Sequence, residues 1–135
     1  MSNNLIADIA EMHTKFGVNP VINGLDPEKL KAFLDFRIRF LDEELNETKK
    51  AIAEGDADGI VDGIIDLMVI SIGTLDAFGV DAQTAWNRVH AANMSKVVGI
   101  KASRPNALGL PDLVKPEGWQ APTHVDNIGL LAKLY

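Results

Sequence analysis

The sequence predicts an all-α protein, a four-helix bundle in residues 1–97 with an extended tail, 98–135, packed on the same domain. Three observations carry this. Apolar residues recur at helical spacing through most of residues 4–96. Capping signals stand where each period breaks. The tail, by contrast, has no sustained period, and its stretch 98–124 holds four of the six prolines.

The elements follow in order. Leu5, Ile6, Ile9, Met12 and Phe16 give a short first helix over 4–16, stopped at Gly17. The run Val18-Asn-Pro-Val-Ile-Asn-Gly24 reads as loop from its Pro, Asn and Gly content. Asp26-Pro27-Glu28 is a helix start, with an acid at the N-cap and proline at the first helical position. That helix should run to Glu54, about 42 Å. Gly55 breaks it, a third helix extends to Phe78, and Asp81 opens a fourth over Ala82–Lys96. In the tail Leu110, Leu113 and Trp119 call for burial against the helices, and 125–135 for a short terminal turn.

Composition narrows the class. A length of 135 residues suits one domain with a real core. A net charge of −6 argues against nucleic acid and anionic membranes as partners. No cysteine is present, so thiolate metal sites are excluded. The N-terminus lacks a basic segment followed by an apolar one, and Asp62 and Asp66 interrupt the longest apolar stretch, so a cytoplasmic, soluble chain is expected.

Those two aspartates are the chief functional signal. Asp62 and Asp66 are one turn apart, about 40° on the wheel, on a helix otherwise rich in Ile, Val, Leu and Met. Unpaired carboxylates in such a setting cost several kcal/mol or more, so a cation should meet them. Nothing basic lies within that helix, which leaves another element, a metal ion, or both. On the preceding helix Glu43, Glu44 and Glu47 fall within about 100° of arc, apart from an aliphatic stripe of Leu34, Ile38, Leu41, Leu45 and Ile52. A helical hairpin would set the two acidic stripes face to face. An all-oxygen donor set suits a hard divalent ion, Mg²⁺ or Mn²⁺, with Glu44, Glu47, Asp62 and Asp66 as ligands. A di-iron bundle is excluded because no Glu-x-x-His occurs.

Supporting residues surround these acids. Phe33, Phe36 and Phe40 form an aromatic shelf, open either to a nucleobase or to a partner chain. Arg37 and Arg39 flank it and can pair with the acids or with phosphate. Trp86, Val89, Asn93 and Lys96 share one stripe of the fourth helix, so Asn93 and Lys96 should face inward, although a terminal Lys also serves as a dipole partner. The helix over 57–78 is apolar on nearly every side, which favours a homodimer that surrounds it.

Glu43-Glu44-x-x-Glu47 followed by an Asp-bearing apolar helix resembles the MazG-like all-α nucleoside triphosphate pyrophosphohydrolases, whose motif is EExxE and then ExxD. A phage branch, labelled phosphoribosyl-ATP pyrophosphohydrolase-like or HAD-Cof-like, is similar in several further places. These are Phe16-Gly17, Asp62-x-x-x-Asp66-Leu67, Gly73-Thr74, Phe78-Gly79-Val80-Asp81 and Val89-His90-x-x-Asn93-Met94-Ser95-Lys96. The glutamate of ExxD falls on Gly63, with Asp62 standing one position earlier. The resemblance implies Mg²⁺-dependent cleavage of the α–β phosphoanhydride of a (d)NTP to (d)NMP and pyrophosphate, in deoxynucleotide-pool control. It also implies a catalytic role for Glu43, by water activation or by binding a further metal. Asn93, Lys96, Arg39 and Phe40 are the expected substrate contacts. Two alternatives stand beside it: hydrolysis of phosphoribosyl-ATP, and a catalytically silent helical dimer.

Overall fold

A computed structural model describes residues 4–101, 108–109 and 112–135. Five α-helices precede two short strands and a terminal 3-10 helix: α1 (Leu5–Phe16), α2 (Val18–Asn23), α3 (Pro27–Glu54), α4 (Ala57–Ala77), α5 (Ala82–Met94), β1 (Val97–Gly99), β2 (Asp112–Val114) and Gly129–Lys133. The chain divides into two compact units, one of Met1–Ala82 with Asp126–Tyr135, the other of Gln83–Val125.

The first unit is built on the α3/α4 hairpin. Asp26 Oδ1 accepts from Lys29 N at 2.9 Å and proline follows the cap, which fixes the start of α3. Gly55 ends it in the left-handed region (φ 68°), where a side chain would be strained. Asp56 then caps α4 through Gly59 N at 2.9 Å. Only Gly55 and Asp56 separate the helices, so they return antiparallel. They approach closely at Gly63, where a Cβ would overlap the Thr48 hydroxyl. Thr48 is buried, with its hydroxyl donating to Glu44 O at 2.8 Å.

The core of this unit lies at the other end of the hairpin. Leu30 and Phe78 are fully enclosed, with Ile22, Ala77 and Val80 beside them. Phe33 packs on Phe78 with ring centroids 5.7 Å apart. The C-terminal segment closes this end, with Leu130 N donating to Phe78 O at 2.7 Å. Gly129 (φ 53°) sits so close to Phe78 O that no side chain fits.

Several expectations are corrected. Residues 18–24 were expected as loop, yet Val18–Asn23 is helical. Pro20 occupies its first turn, where no backbone N–H is required, and Ile22 enters the core. The aliphatic stripe of α3, for which the sequence named no cover, is mixed: Leu34 and Leu41 are half-buried, and Ile38, Leu45 and Ile52 are exposed, with no described element over them. Phe33 leaves the aromatic shelf for the core, and Phe36 pairs with Phe40 at 6.0 Å.

In the second unit α5 ends at Met94, short of Lys96. The extended tail adds an antiparallel pair that begins at its edge, with Val97 opposite Val114 and Gly99 opposite Asp112. Leu113 is 42% exposed rather than buried, since a two-stranded ladder covers one face only. Trp119 is half-buried, its indole N–H donating to Ala92 O at 2.9 Å. Leu110 lies outside the described residues.

Candidate active site

Four carboxylates expected at the site line one groove of the first unit. Glu44 and Glu47 contribute from α3, and Asp62 and Asp66 from α4. The groove has a volume of about 230 Å³ and runs to the hairpin turn, where Glu54, Asp56 and Lys50 join its lining. It lies against the Thr48–Gly63 contact, and Gly63 is itself part of its wall. This explains the glycine at the position where the resembling motif has glutamate. The helices touch there, and the acid stands one residue earlier, on the open edge, as exposed Asp62.

The electrostatics are those of an unneutralised acidic groove. Glu44 is half-buried, and its carboxyl is pushed above the ordinary carboxylate value, first by burial and then by the charges of Glu47, Asp66 and Asp62. The lysine in the lining, Lys50, makes its ion pair with Glu54 at 3.9 Å rather than with these four. Among the described residues no group of three or more acids or histidines is drawn into a ready-made cage. The donor set consists only of carboxylate oxygens, which fits a hard divalent cation and not a soft one.

The other site residues are placed differently. Glu43 is exposed and is not part of the groove lining, although it lies about 40° from Glu47 on the same helix. Arg39 is exposed and Phe40 half-buried against Phe36, one to two turns before the acids. Asn93 and Lys96 belong to the second unit. Their stripe was expected to face inward, yet Trp86 is 63% exposed and Asn93 is exposed, while Lys96 Nζ sits 5.3 Å from the Trp119 ring centroid.

Arg37 does not reach the acids. Its Nε donates to Thr74 Oγ1 and its Nη2 to Ile70 O, both at 2.9 Å, which ties α3 to α4 two turns from the groove. Burial lowers its pKa. Beside it His13 Nδ1 lies 2.7 Å from Asp76 Oδ2, and Asn19 donates to Asp76 O at 3.0 Å. Sequence reasoning missed this cluster, and it missed Glu54 and Asp56 in the groove. The latter were signalled, since Asp56 caps α4 and Glu54 follows Glu47 by two turns.

A helical hairpin with glutamates on one arm and aspartates facing them on the other defines the class of all-α nucleotide pyrophosphohydrolases, the MazG-like superfamily. The family model for phosphoribosyl-ATP pyrophosphohydrolase (PRA-PH) matches residues 23–93, just over half of the chain, and the chain belongs to that family. The match takes in α3 and α4 whole, and with them every acid of the groove. The protein is therefore a hydrolase acting on phosphoanhydride bonds, with a nucleotide as substrate. None of the curated proteins matches the chain. No helix among the described residues is long and apolar enough to cross a membrane.

Proposed function

We propose that the protein hydrolyses the α–β phosphoanhydride of a (d)NTP, giving (d)NMP and pyrophosphate, and serves deoxynucleotide-pool control in the manner of the phage branch. The observation that carries this is the groove itself: Glu44, Glu47, Asp62 and Asp66 face one another and none of them has a basic partner among the described residues. These four would hold Mg²⁺ or Mn²⁺. The bound ion supplies neutralisation of the polyphosphate and of the charge that develops on the leaving pyrophosphate. Glu43, beside the ligands but outside their lining, takes the proton from the attacking water. Arg39, Phe40, Asn93 and Lys96 contact the substrate, with Lys96 on phosphate. At about 230 Å³ the groove is smaller than the roughly 300–1,000 Å³ of ordinary ligand sites, so it suits the polyphosphate and not the whole nucleotide.

A homodimer belongs to the same reading. Val61, Ile64 and Ile65 on α4 and Ile38, Leu45 and Ile52 on α3 are 41% to 65% exposed, a large apolar area for a free chain. A second copy covers it, and light scattering should return about twice the 14.6 kDa chain mass. An active species at the chain mass would contradict this.

Phosphoribosyl-ATP is the second reading, favoured by the description of the matching family. One experiment separates the two. Pyrophosphate release is measured over the common NTPs, dNTPs and phosphoribosyl-ATP, each with Mg²⁺ and with excess EDTA. Turnover of a (d)NTP that EDTA abolishes is expected. Turnover confined to phosphoribosyl-ATP transfers the assignment to that substrate, and turnover undiminished by EDTA removes the metal from it.

A further inference from the structure

The two units carry opposite charge. Residues 83–125 hold five Lys and Arg against two Asp and Glu, whereas the rest of the chain holds eight against seventeen. Within the basic unit two lysines are concentrated at one point. The β1/β2 register sets Val97 opposite Val114, so Lys96 and Lys115 occupy the next cross-strand position, just beyond the end of the ladder. Like charges directly opposite on paired strands are destabilising.

Trp119 lies between them in function. Lys96 Nζ is 5.3 Å and Lys115 Nζ 5.1 Å from its ring centroid, both within cation–π range. The ring cannot turn away freely, because its N–H is held by Ala92 O on α5. Neither ammonium makes an ion pair or hydrogen bond among the described residues. Two cations are thus gathered about one anchored aromatic ring, and a ring quadrupole offsets only part of their repulsion. An anion of more than one charge completes the arrangement.

We infer that Lys96, Lys115 and Trp119 form a polyphosphate-binding site on the second unit, with Lys115 an equal partner of Lys96 and Trp119 the residue that positions both. The two ammonium groups donate to non-bridging oxygens of a diphosphate or triphosphate group. This rests on the hydrolase reading for its biological ligand, which is either the polyphosphate of the substrate or the pyrophosphate product. The family match ends at Asn93 and does not reach Lys96, Lys115 or Trp119.

The test is made on the full chain carrying Asp66→Asn, in EDTA, so that neither turnover nor metal contributes. The chain has two tryptophans, and Trp86→Phe assigns their indole N–H resonances in a ¹⁵N spectrum. Inorganic pyrophosphate is titrated against chloride at matched ionic strength. Saturable movement of the Trp119 resonance, with that of Trp86 still, is expected. Lys115→Ala should weaken binding about tenfold, the usual worth of a charge-assisted hydrogen bond, and Lys115→Arg should retain it. An α,β-methylene nucleoside triphosphate forms the second arm. Binding of both ligands identifies the substrate polyphosphate as the occupant, and binding of pyrophosphate alone identifies the product. A Trp119 resonance that pyrophosphate does not move overturns the inference. So does a folded Lys115→Ala protein that binds as tightly as its parent, which would leave the two lysines as a staple of the ladder to α5. Since loss of turnover in Asp66→Asn is measured separately, failure here is distinct from failure of the hydrolase reading.

Discussion

The two ends of the α3/α4 hairpin handle charge in opposite ways. At the core end Asp76 meets His13 and Asn19, and Arg37 meets Thr74 and the Ile70 carbonyl. At the turn end Glu44, Glu47, Asp62 and Asp66 meet chiefly one another, and burial first, then these neighbouring charges, make Glu44 harder to ionise. Both ends belong to one pair of helices, so the difference lies in side chains and not in backbone. Satisfied polar groups hold the core end together. Unsatisfied acids at the turn end weaken the free protein and, on the function proposed above, reserve the groove for a cation.

Several substitutions break or sharpen that contrast. The largest effect is expected at Asp66→Asn, which should abolish turnover while circular dichroism stays helical, because Asp66 has no hydrogen-bond or ion-pair partner among the described residues. Next is Glu43→Gln, which keeps shape but removes a base. Its kcat should fall about 10²–10⁴-fold with cation affinity retained. If cation binding is lost as well, Glu43 is a ligand and the base lies elsewhere.

At the core end the readout shifts from rate to stability. Asp76→Asn should cost about 2 kcal/mol in denaturant melts, the scale of a charged hydrogen bond, with turnover per folded molecule preserved. Gly63→Ala lies between the two ends in kind. Its methyl group meets the Thr48 hydroxyl, so a loss of about 1–3 kcal/mol is expected. Thr48→Ala in the same chain should recover part of it.

The smallest effect concerns pH. Glu44 has a folded-state pKa above its ordinary value, so the folded protein binds more protons there than the unfolded chain does. Stability from this group is therefore present below that ordinary value of 4.5 and falls as pH rises through the raised pKa. In EDTA the Tm should drift down over that range by a small amount, since the site is open to solvent. Saturating Mg²⁺ should remove the drift and raise Tm. A metal-free Tm that climbs through the same window would contradict the raised Glu44 pKa.

Much of this contrast was legible in residue order. Asp26-Pro27 and Gly55 set the ends of α3 because caps are local, and the five acids follow from helical spacing alone. The partnered end was not legible. Asn19 and Asp76 are 57 positions apart, and Arg37 could be read as reaching the acids until Thr74 and the Ile70 carbonyl stood opposite it. Pro20 and Asn19 signal a loop, yet Ile22 entering the core makes α2 a helix. Exposure of Ile38 and Trp86 was hidden for another reason: helical periodicity marks an apolar face without saying whether this chain covers it.

The central claim is that the unpartnered acids bind the cation and the partnered ones hold the fold. Calorimetric titration of Mn²⁺ into the wild-type chain, Asp66→Asn and Asp76→Asn tests it most directly. The account predicts that wild type and Asp76→Asn bind alike, and that Asp66→Asn, folded, does not bind. Undiminished binding in Asp66→Asn, or an equal loss in folded Asp76→Asn, would contradict it.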